Sequence, residues 1–411
     1  MASEWKISTV GEFCPFIYGK ALPERSRIAG AIPVISSAGV SGSHHEPLIN
    51  GGGVVIGRKG TVGSVTLCKS AFWAIDTAFY VPDAPHRNLV FSYYLLKTLG
   101  LERMNSDSAV PGLNRDNAHA RSISVPPIEE QNAIAHILGT LDDKIELNRR
   151  MNVTLEAMAR ALFKSWFVDF DPVRAKQEGH WQRGRSLPGL PAHLYDLFPG
   201  RLVESALGEI PEGWEVKSLD EIAEFLNGLA LQKFPVTDPA DSLPVIKIAE
   251  LRNGVSAKSD RASRNVSEKY IIKNGDFLFS WSGSLLAKFW TEGEGALNQH
   301  LFKVTSERYP MWFISHWVHY HLKEFQSIAA SKATTMGHIQ RGHLKSAMAI
   351  CPAADALEKF DVVMAPLVDQ AIQNELETRA LAELRDTLLP KLISGELRVP
   401  DTEAFLRGRK I

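Results

Sequence analysis

The sequence predicts an α+β chain: two duplicated mixed α/β domains, each followed by a long helix, the two helices pairing as an antiparallel coiled coil about a pseudo-two-fold axis. Three observations lead there. One block of sequence occurs twice, each copy runs into a heptad pattern, and a stretch rich in proline and glycine lies between the copies.

The repeat is legible residue against residue. WKISTVGEFCPFIYGKAL (5–22) aligns without a gap on WEVKSLDEIAEFLNGLAL (214–231), matching Trp5 with Trp214, Phe16 with Phe225 and Gly19 with Gly228. IPVI (32–35) then matches LPVI (243–246), and WAIDTAFYV (73–81) lies over ALNQHLFKV (296–304). VPGLNRDNAHARSISVPP (110–127) corresponds to TMGHIQRGHLKSAMAICP (335–352) after a slip of one residue. The offset grows along the chain, so loop insertions separate the copies. A period of about 210 residues far exceeds the roughly 20–50 of a solenoid unit, which makes this a domain duplication.

The first long helix is expected from about Pro127 to Val168. Leu138, Leu141, Ile145, Asn148, Asn152, Leu155, Ala159, Leu162 and Trp166 fall at alternating three- and four-residue steps, a heptad seam in which two asparagines set the register. The second, from about Ala356 to Ile393, repeats the pattern through Phe360, Met364, Leu367, Ala371, Asn374, Thr378, Leu381, Leu388 and Leu392. Between the copies, residues 171–213 read as an irregular crossover. Its Arg174, Lys176, Arg183 and Arg185 are open to two readings, a polyanion contact or solvated linker charge. The expected division is a first domain at 1–126, a helix at 127–170, the crossover at 171–213, a second domain at 214–353, a helix at 354–396 and a tail at 397–411.

Composition agrees with this plan. A chain of 411 residues exceeds the ~250 that one core usually fills, and 45% hydrophobic with 23% charged residues is ordinary for globular domains. A net charge of -1 selects no partner, although basic loops can sit inside a neutral total. Cys14, Cys68 and Cys351 are far apart and form neither a disulfide framework nor a zinc motif, so buried thiols in a reducing compartment are expected. MASEWKISTV lacks a basic region followed by an apolar run, and no apolar stretch approaches the ~20 residues of a membrane span. A cytoplasmic protein is expected.

The most provocative stretch is GGGVVIGRKGTVGSV (51–65), whose Gly52 and Gly57 have the spacing of a phosphate-binding loop. Such a loop needs Lys then Ser or Thr after the second glycine, and a helix directly behind it. Here Arg58 and Lys59 occupy those places, and the β-branched TVGSVTLCKSAFW that follows reads as strand. The second copy keeps Gly283 opposite Gly60 but has Trp281 and Ser282 instead of the basic pair. That pattern argues against a nucleotide site. No nucleophile elbow, zinc-protease helix or amino-methyltransferase motif is present, and VPDAP and VPDTE lack the acidic-x-Lys partner of a nuclease. His316, His319 and His321 share a helix, and His316 and His319 could bind a metal together, but without an evident third ligand packing histidines are the simpler reading. No catalytic constellation is found and no metal ligand is assigned.

What remains is a binding protein with two related, differently decorated heads. DNA suits it, since a bipartite site needs two readers at fixed separation. A helix of ~35 residues at ~1.5 Å rise is roughly 50 Å long, so at ~3.4 Å per base pair the readers stand no more than about 15 base pairs apart.

VPPIEEQNAIAHILGTLDDKIELNRRMNVTLEAMARALFKSWFVDFDPVRAK (125–176), LGEIPEGWEVKSLDEIAEF (207–225) and LAELRDTLLPKLISGELRV (381–399) resemble the specificity subunit of type I restriction–modification enzymes. The resemblance covers essentially the whole chain. Pro126, Pro127, Glu130 and Gln131 before a heptad helix are specific to it, whereas the second copy keeps only Pro352. The resemblance implies two target recognition domains that each read half of a split double-stranded DNA site, with the helices as a ruler. It also implies partners: two modification subunits that methylate adenine at N6 with S-adenosylmethionine, and restriction subunits that use ATP and Mg. No cofactor belongs to this chain and no catalysis of its own is implied. In the first head the candidate DNA contacts are Arg58, Lys59, Thr61, Asn114 and Arg115. In the second they are Trp281, Ser282, Ser284, Asn298, Gln299, His300, Gln340 and Arg341. Arginine matches guanine's major-groove edge, and Asn or Gln can read adenine through both amide atoms. Competing readings are a fused or solitary restriction–modification system and an enzyme with an unrecognised nuclease or hydrolase site.

Overall fold

A computed structural model describes residues 5–104, 112–331 and 337–399. Positions 110, 111, 335 and 336 of the repeat, and 400–411 of the expected tail with most of VPDTE, lie outside the described residues. The chain forms two compact units, Met1–Glu146 with Arg379–Ile411, and Leu147–Thr378.

The first unit runs β1 (Lys6–Thr9), α1 (Val10–Phe13), β2 (Ile17–Tyr18), β3 (Ile32–Ser36), β4 (Gly39–His44), β5 (Gly53–Gly57) and β6 (Val65–Cys68). It continues through β7 (Trp73–Ala74), β8 (Ala78–Pro82), α2 (Leu89–Thr98), α3 (Arg115–His119) and β9 (Ser122–Val125) into the long α4 (Ile128–Phe167). The sequence dictates the joints. Thr9 and Glu12 exchange a capping box at α1, with Glu12 N donating to Thr9 Oγ1 at 3.3 Å and Thr9 N to Glu12 Oε2 at 3.1 Å. β5, buried throughout, lies inside the antiparallel sheet β2-β8-β5-β6, as its run of apolar residues between glycines requires. A second sheet, β4-β3-β7, contains the parallel pair β3–β7, and β1 closes on β9.

The second unit holds the end of α4, then α5 (Asp171–Gln177), β10 (Leu202–Ser205), β11 (Gly208–Pro211), β12 (Glu215–Ser218), α6 (Leu219–Ile222), β13 (Glu224–Asn227), β14 (Ser242–Ile246) and α7 (Ile248–Asn253). β15 (Arg261–Ser263), β16 (Ile271–Ile272), β17 (Phe277–Ser280), β18 (Ala287–Phe289), β19 (Gly295–Leu297) and β20 (Leu301–Thr305) follow. α8 (Met311–Ser331), α9 (Arg341–Ser346), β21 (Met348–Cys351) and the long α10 (Ala354–Ser394) complete it. Its sheets β13-β20-β17-β18 and β12-β21 repeat β2-β8-β5-β6 and β1-β9 strand for strand, and β15-β14-β19-β16 repeats β4-β3-β7 with one more strand. In place of β16 the first unit has a single antiparallel bridge, Ile49 to Phe72. The helix α7 is inserted between β14 and β15 where β3 turns directly into β4, which supplies part of the growing offset.

Each unit buries one portion of each long helix. In the first, Leu138, Leu141 and Ile145 of α4 share a core with Leu381, Leu384, Leu388 and Leu392 of α10, and Asp142 pairs with Arg385. In the second, Ala159, Phe163, Trp166 and Phe167 share a core with Phe360 and Met364. The helices therefore run antiparallel. The seam asparagines meet as expected of register devices: Asn374 Nδ2 donates to Asn152 Oδ1 at 2.8 Å, Asn152 Nδ2 to Ala371 O at 2.9 Å, and Asn148 Nδ2 to Glu377 Oε2 at 2.7 Å.

Residues 171–213 are more regular than the irregular crossover expected. Beside α5 and the β10–β11 hairpin, Trp181, Leu190, Leu194 and Phe198 are buried in the second unit's core. Most of the basic residues are engaged internally. Lys176 donates to Phe198 O with its Nζ 3.9 Å from the Tyr195 ring centroid, and burial lowers its pKa. Arg183 pairs with Asp196, and Arg174 lies 3.8 Å from Glu209. Proline and glycine content signals the turns correctly, but the aromatic residues between them decide the packing.

The asparagine layer yields a stability prediction. Asn374→Ala strands the Asn152 carbonyl in the seam and should lower stability by about 1–3 kcal/mol. The pair Asn152→Leu with Asn374→Leu removes both polar groups and should recover most of that loss. Urea unfolding of the three proteins measures both; a double variant weaker than Asn374→Ala would contradict the assignment.

Candidate nucleic-acid interface

In both heads three separate stretches converge on one place: the residue before a shared glycine at the end of β2 or β13, the glycine loop, and the start of a short helix. The loop is built the same way twice. Arg58 N and Lys59 N donate to Thr77 O at 2.9 and 3.0 Å, and Leu113 N donates to Arg58 O at 2.9 Å. In the second head Trp281 N donates to His300 O at 3.3 Å, and Ile339 N to Trp281 O at 2.9 Å. Lys59 bridges to Gly112 as Ser282 does to His338. Gly60 and Gly283 take φ of 78° and 63°, the left-handed region that a side chain resists. The stretch 51–65 is thus a β5–β6 hairpin with no helix behind it, which removes the nucleotide-loop reading.

The side chains differ. In the first head the guanidinium carbons of Arg58 and Arg115 each lie 5.2 Å from the ring centroid of Tyr18, which is half exposed. Lys59 and Thr61 are exposed on the loop. Arg58 Nε is buried without a hydrogen-bond partner, and Arg115 Nε has Asp116 Oδ1 at 3.4 Å. Asn114 caps α3, its Oδ1 accepting from Asp116 N at 2.9 Å and Asn117 N at 3.0 Å. That occupies the acceptor that a two-point adenine contact needs and leaves its amide donors.

In the second head Trp281 is partly buried and its Nε1 donates to Asn227 Oδ1 at 2.9 Å, while its ring lies 6.0 Å from Phe302. Arg341 donates to Phe225 O at 3.2 Å and sits over the same Phe302 ring at 5.9 Å. Trp281 Nε1 also donates to Gln299 O at 3.2 Å and the His300 ring lies 5.9 Å from that of Trp281, while Ser284 and Gln340 are exposed. Ser282 and Asn298 are buried: Ser282 Oγ lies 2.9 Å from His300 Nδ1, and Asn298 Oδ1 accepts from His300 N at 3.2 Å. These two hold the loop rather than present a surface. Sequence reasoning does not single out Tyr18 and Asn227, although the repeat places them opposite one another directly before Gly19 and Gly228.

Residues 2–157 and 211–385 match the model of the type I restriction modification DNA specificity domain. The chain belongs to that family. This specificity-domain chain is 28% identical over 368 residues to the MjaIX type I restriction enzyme specificity subunit of Methanocaldococcus jannaschii, covering 84% of this chain and 79% of the relative. It is 27% identical over 376 residues to the HindI specificity subunit of Haemophilus influenzae, covering 79% and 81%. Its fold resembles the crystal structure of a type I S subunit from M. genitalium, with a TM-score of 0.61 at 15% identity over 95% of this chain and 96% of that one.

Outside the two specificity-domain loops, the singled-out side chains pack. The three thiols are buried and unbridged, burial pushing Cys14 and Cys68 up to about 11 and Cys351 to about 12. On α8, the His316 ring stacks 5.0 Å from Phe163, His319 reaches Ala287 O at 3.0 Å, and His321 reaches Met348 O at 2.9 Å. Among the described residues no group of three or more metal-ligating side chains includes them. Burial lowers His319 and pushes His316 down to about 4. The unfolded chain binds a proton below ~6.5 that folded His316 refuses, so its contribution is full above ~6.5 and is lost as pH falls toward 4. The second unit should weaken by about 3 kcal/mol across that window, and His316→Phe should flatten the profile. Denaturation midpoints at pH 7.5 and pH 5 test this; equal midpoints in the native chain would refute it.

Proposed function

We propose that this chain is the DNA sequence-recognition subunit of a type I restriction–modification complex and supplies no catalytic group itself. Its first head reads one half of a split double-stranded site, its second head reads the other, and the paired helices serve as the ruler of the spacer. One observation carries the reading: two heads with the same strands, glycines and loop hydrogen bonds hold different side chains at the same place. A ligand with one repeated chemistry would favour the same side chains twice; two unlike half-sites favour different ones.

The proposed contacts are Arg58, Lys59, Thr61, Asn114 and Arg115 in one head, and Trp281, Ser284, Gln299, His300, Gln340 and Arg341 in the other. Two modification subunits would dock on the chain and methylate adenine at N6 with S-adenosylmethionine. Restriction subunits would add cleavage driven by ATP with Mg, all in the cytoplasm. The relatives named above, each a type I restriction enzyme specificity subunit, support that assignment of partners.

Mapping methylated adenines in DNA modified by the complete complex should return a bipartite motif with a constant spacer. Methylation or cleavage by the purified chain alone, given the cofactors, would overturn the proposal. Arg58→Ala with Lys59→Ala should weaken binding by about 5- to 100-fold through the first half-site only, and the salt slope should drop by about 1 for each phosphate no longer neutralised. Unchanged affinity and slope would strike this loop from the interface.

A further inference from the structure

We propose that Tyr18 is a specificity-determining positioning residue: its ring holds the guanidiniums of Arg58 and Arg115 toward an acceptor-bearing base edge, guanine above all, in the first half-site. The inference rests on the DNA-recognition reading and deepens it.

Tyr18 ends a two-residue strand, pairs with Phe79 in the sheet, and sets its ring 5.0 Å from the Phe79 ring at 62°. That contact fixes the ring while leaving half of the residue exposed. The two arginines reach it from elements far apart in sequence, the glycine loop and the first turn of α3. Two guanidiniums beside one ring repel each other, and the shared π face of Tyr18, with Asp116 3.4 Å from Arg115 Nε, offsets that cost. A free surface arginine samples many rotamers, whereas one lying over an aromatic ring is arranged before its ligand arrives.

A guanidinium only donates hydrogen bonds, so its ligand carries acceptors: the O6 and N7 of guanine, or a phosphate. The second head decides between them. Phosphates are the same at every site, so a phosphate contact gives the two heads no reason to differ at the places of Tyr18 and Arg58. Instead Asn227 stands at the position of Tyr18, Trp281 at that of Arg58, and only Arg341 keeps its arginine, turned to Phe225 O. The place varies as a base-reading place must.

The test is sequence selection from a randomised duplex pool by the full chain copurified with its modification subunits. The native complex should enrich two half-sites. Tyr18→Phe should leave both intact. Tyr18→Leu keeps the apolar cover on Phe79 but has no π face; it should cut discrimination at one G-containing half-site by about tenfold, the weight of two exposed cation–π contacts, and leave the other half-site unchanged. Thermal midpoints within a degree or two of each other would be expected, given how exposed Tyr18 is. Three results would overturn the proposal. One is full discrimination in Tyr18→Leu, and another is equal damage in Tyr18→Phe. The third is uniform weakening over all sequences with a shallower salt slope, the mark of a phosphate contact. If the native complex enriches nothing, it is the DNA-recognition reading that fails, and this inference falls with it.

Discussion

An amphipathic helix of 40 residues cannot leave its apolar stripe in water, and this chain contains two long helices, of 40 and 41 residues. Each covers the other's seam, and each head uses both as part of its own core. In the first unit Leu388 and Leu392 of α10 lie in the same cluster as Val54, Phe79 and Phe91 of the sheet and α2. In the second unit Phe163, Trp166 and Phe167 of α4 lie with Phe277, Phe313 and Trp317. Burying one large apolar side chain contributes roughly 1.5–3 kcal/mol, so a handful of these residues outweighs any loop contact on the heads. The loops can vary because the helices carry the stability.

Within the heads, frame and occupant are separable. A Cβ at Gly19 would stand 2.1 Å from Ile75 O, and one at Gly228 would stand 2.3 Å from Asn298 O. The chain passes that close in both copies, so glycine is required twice for the same steric reason. One residue earlier the side chain faces outward, and nothing in the frame dictates its identity. Tyr18 and Asn227 differ for that reason.

The heptad seams are legible from their spacing, and the helices run from Ile128 to Phe167 and from Ala354 to Ser394, close to the expected limits. Pro366 and Pro390 inside the second helix argue for a break when read as letters alone. The helix continues through both, held by Met364 and Leu392 buried on its inner side. Both prolines are exposed, where water can take the carbonyl left without an N–H partner. The duplication is legible because buried and glycine positions obey the same packing twice. The loop roles are harder. Nothing in the letters SGS or LNQH separates a buried serine or asparagine that braces a turn from an exposed one. Tyr18 comes close to the arginines only through the β2–β8 pairing and α3, a meeting of segments that no local pattern records.

The division of the chain also bears on its synthesis. The second unit is contiguous, Leu147–Thr378, and can close its core once those residues have left the ribosome. The first unit must wait. Leu138, Leu141 and Ile145 emerge early, yet the residues that cover them, Leu381 to Leu392, arrive more than half a chain later. Contacts that distant in sequence form slowly and leave apolar surface open in the meantime. The half of the molecule made first is therefore the half finished last, and during that interval it is the part most exposed to aggregation or to the attention of chaperones.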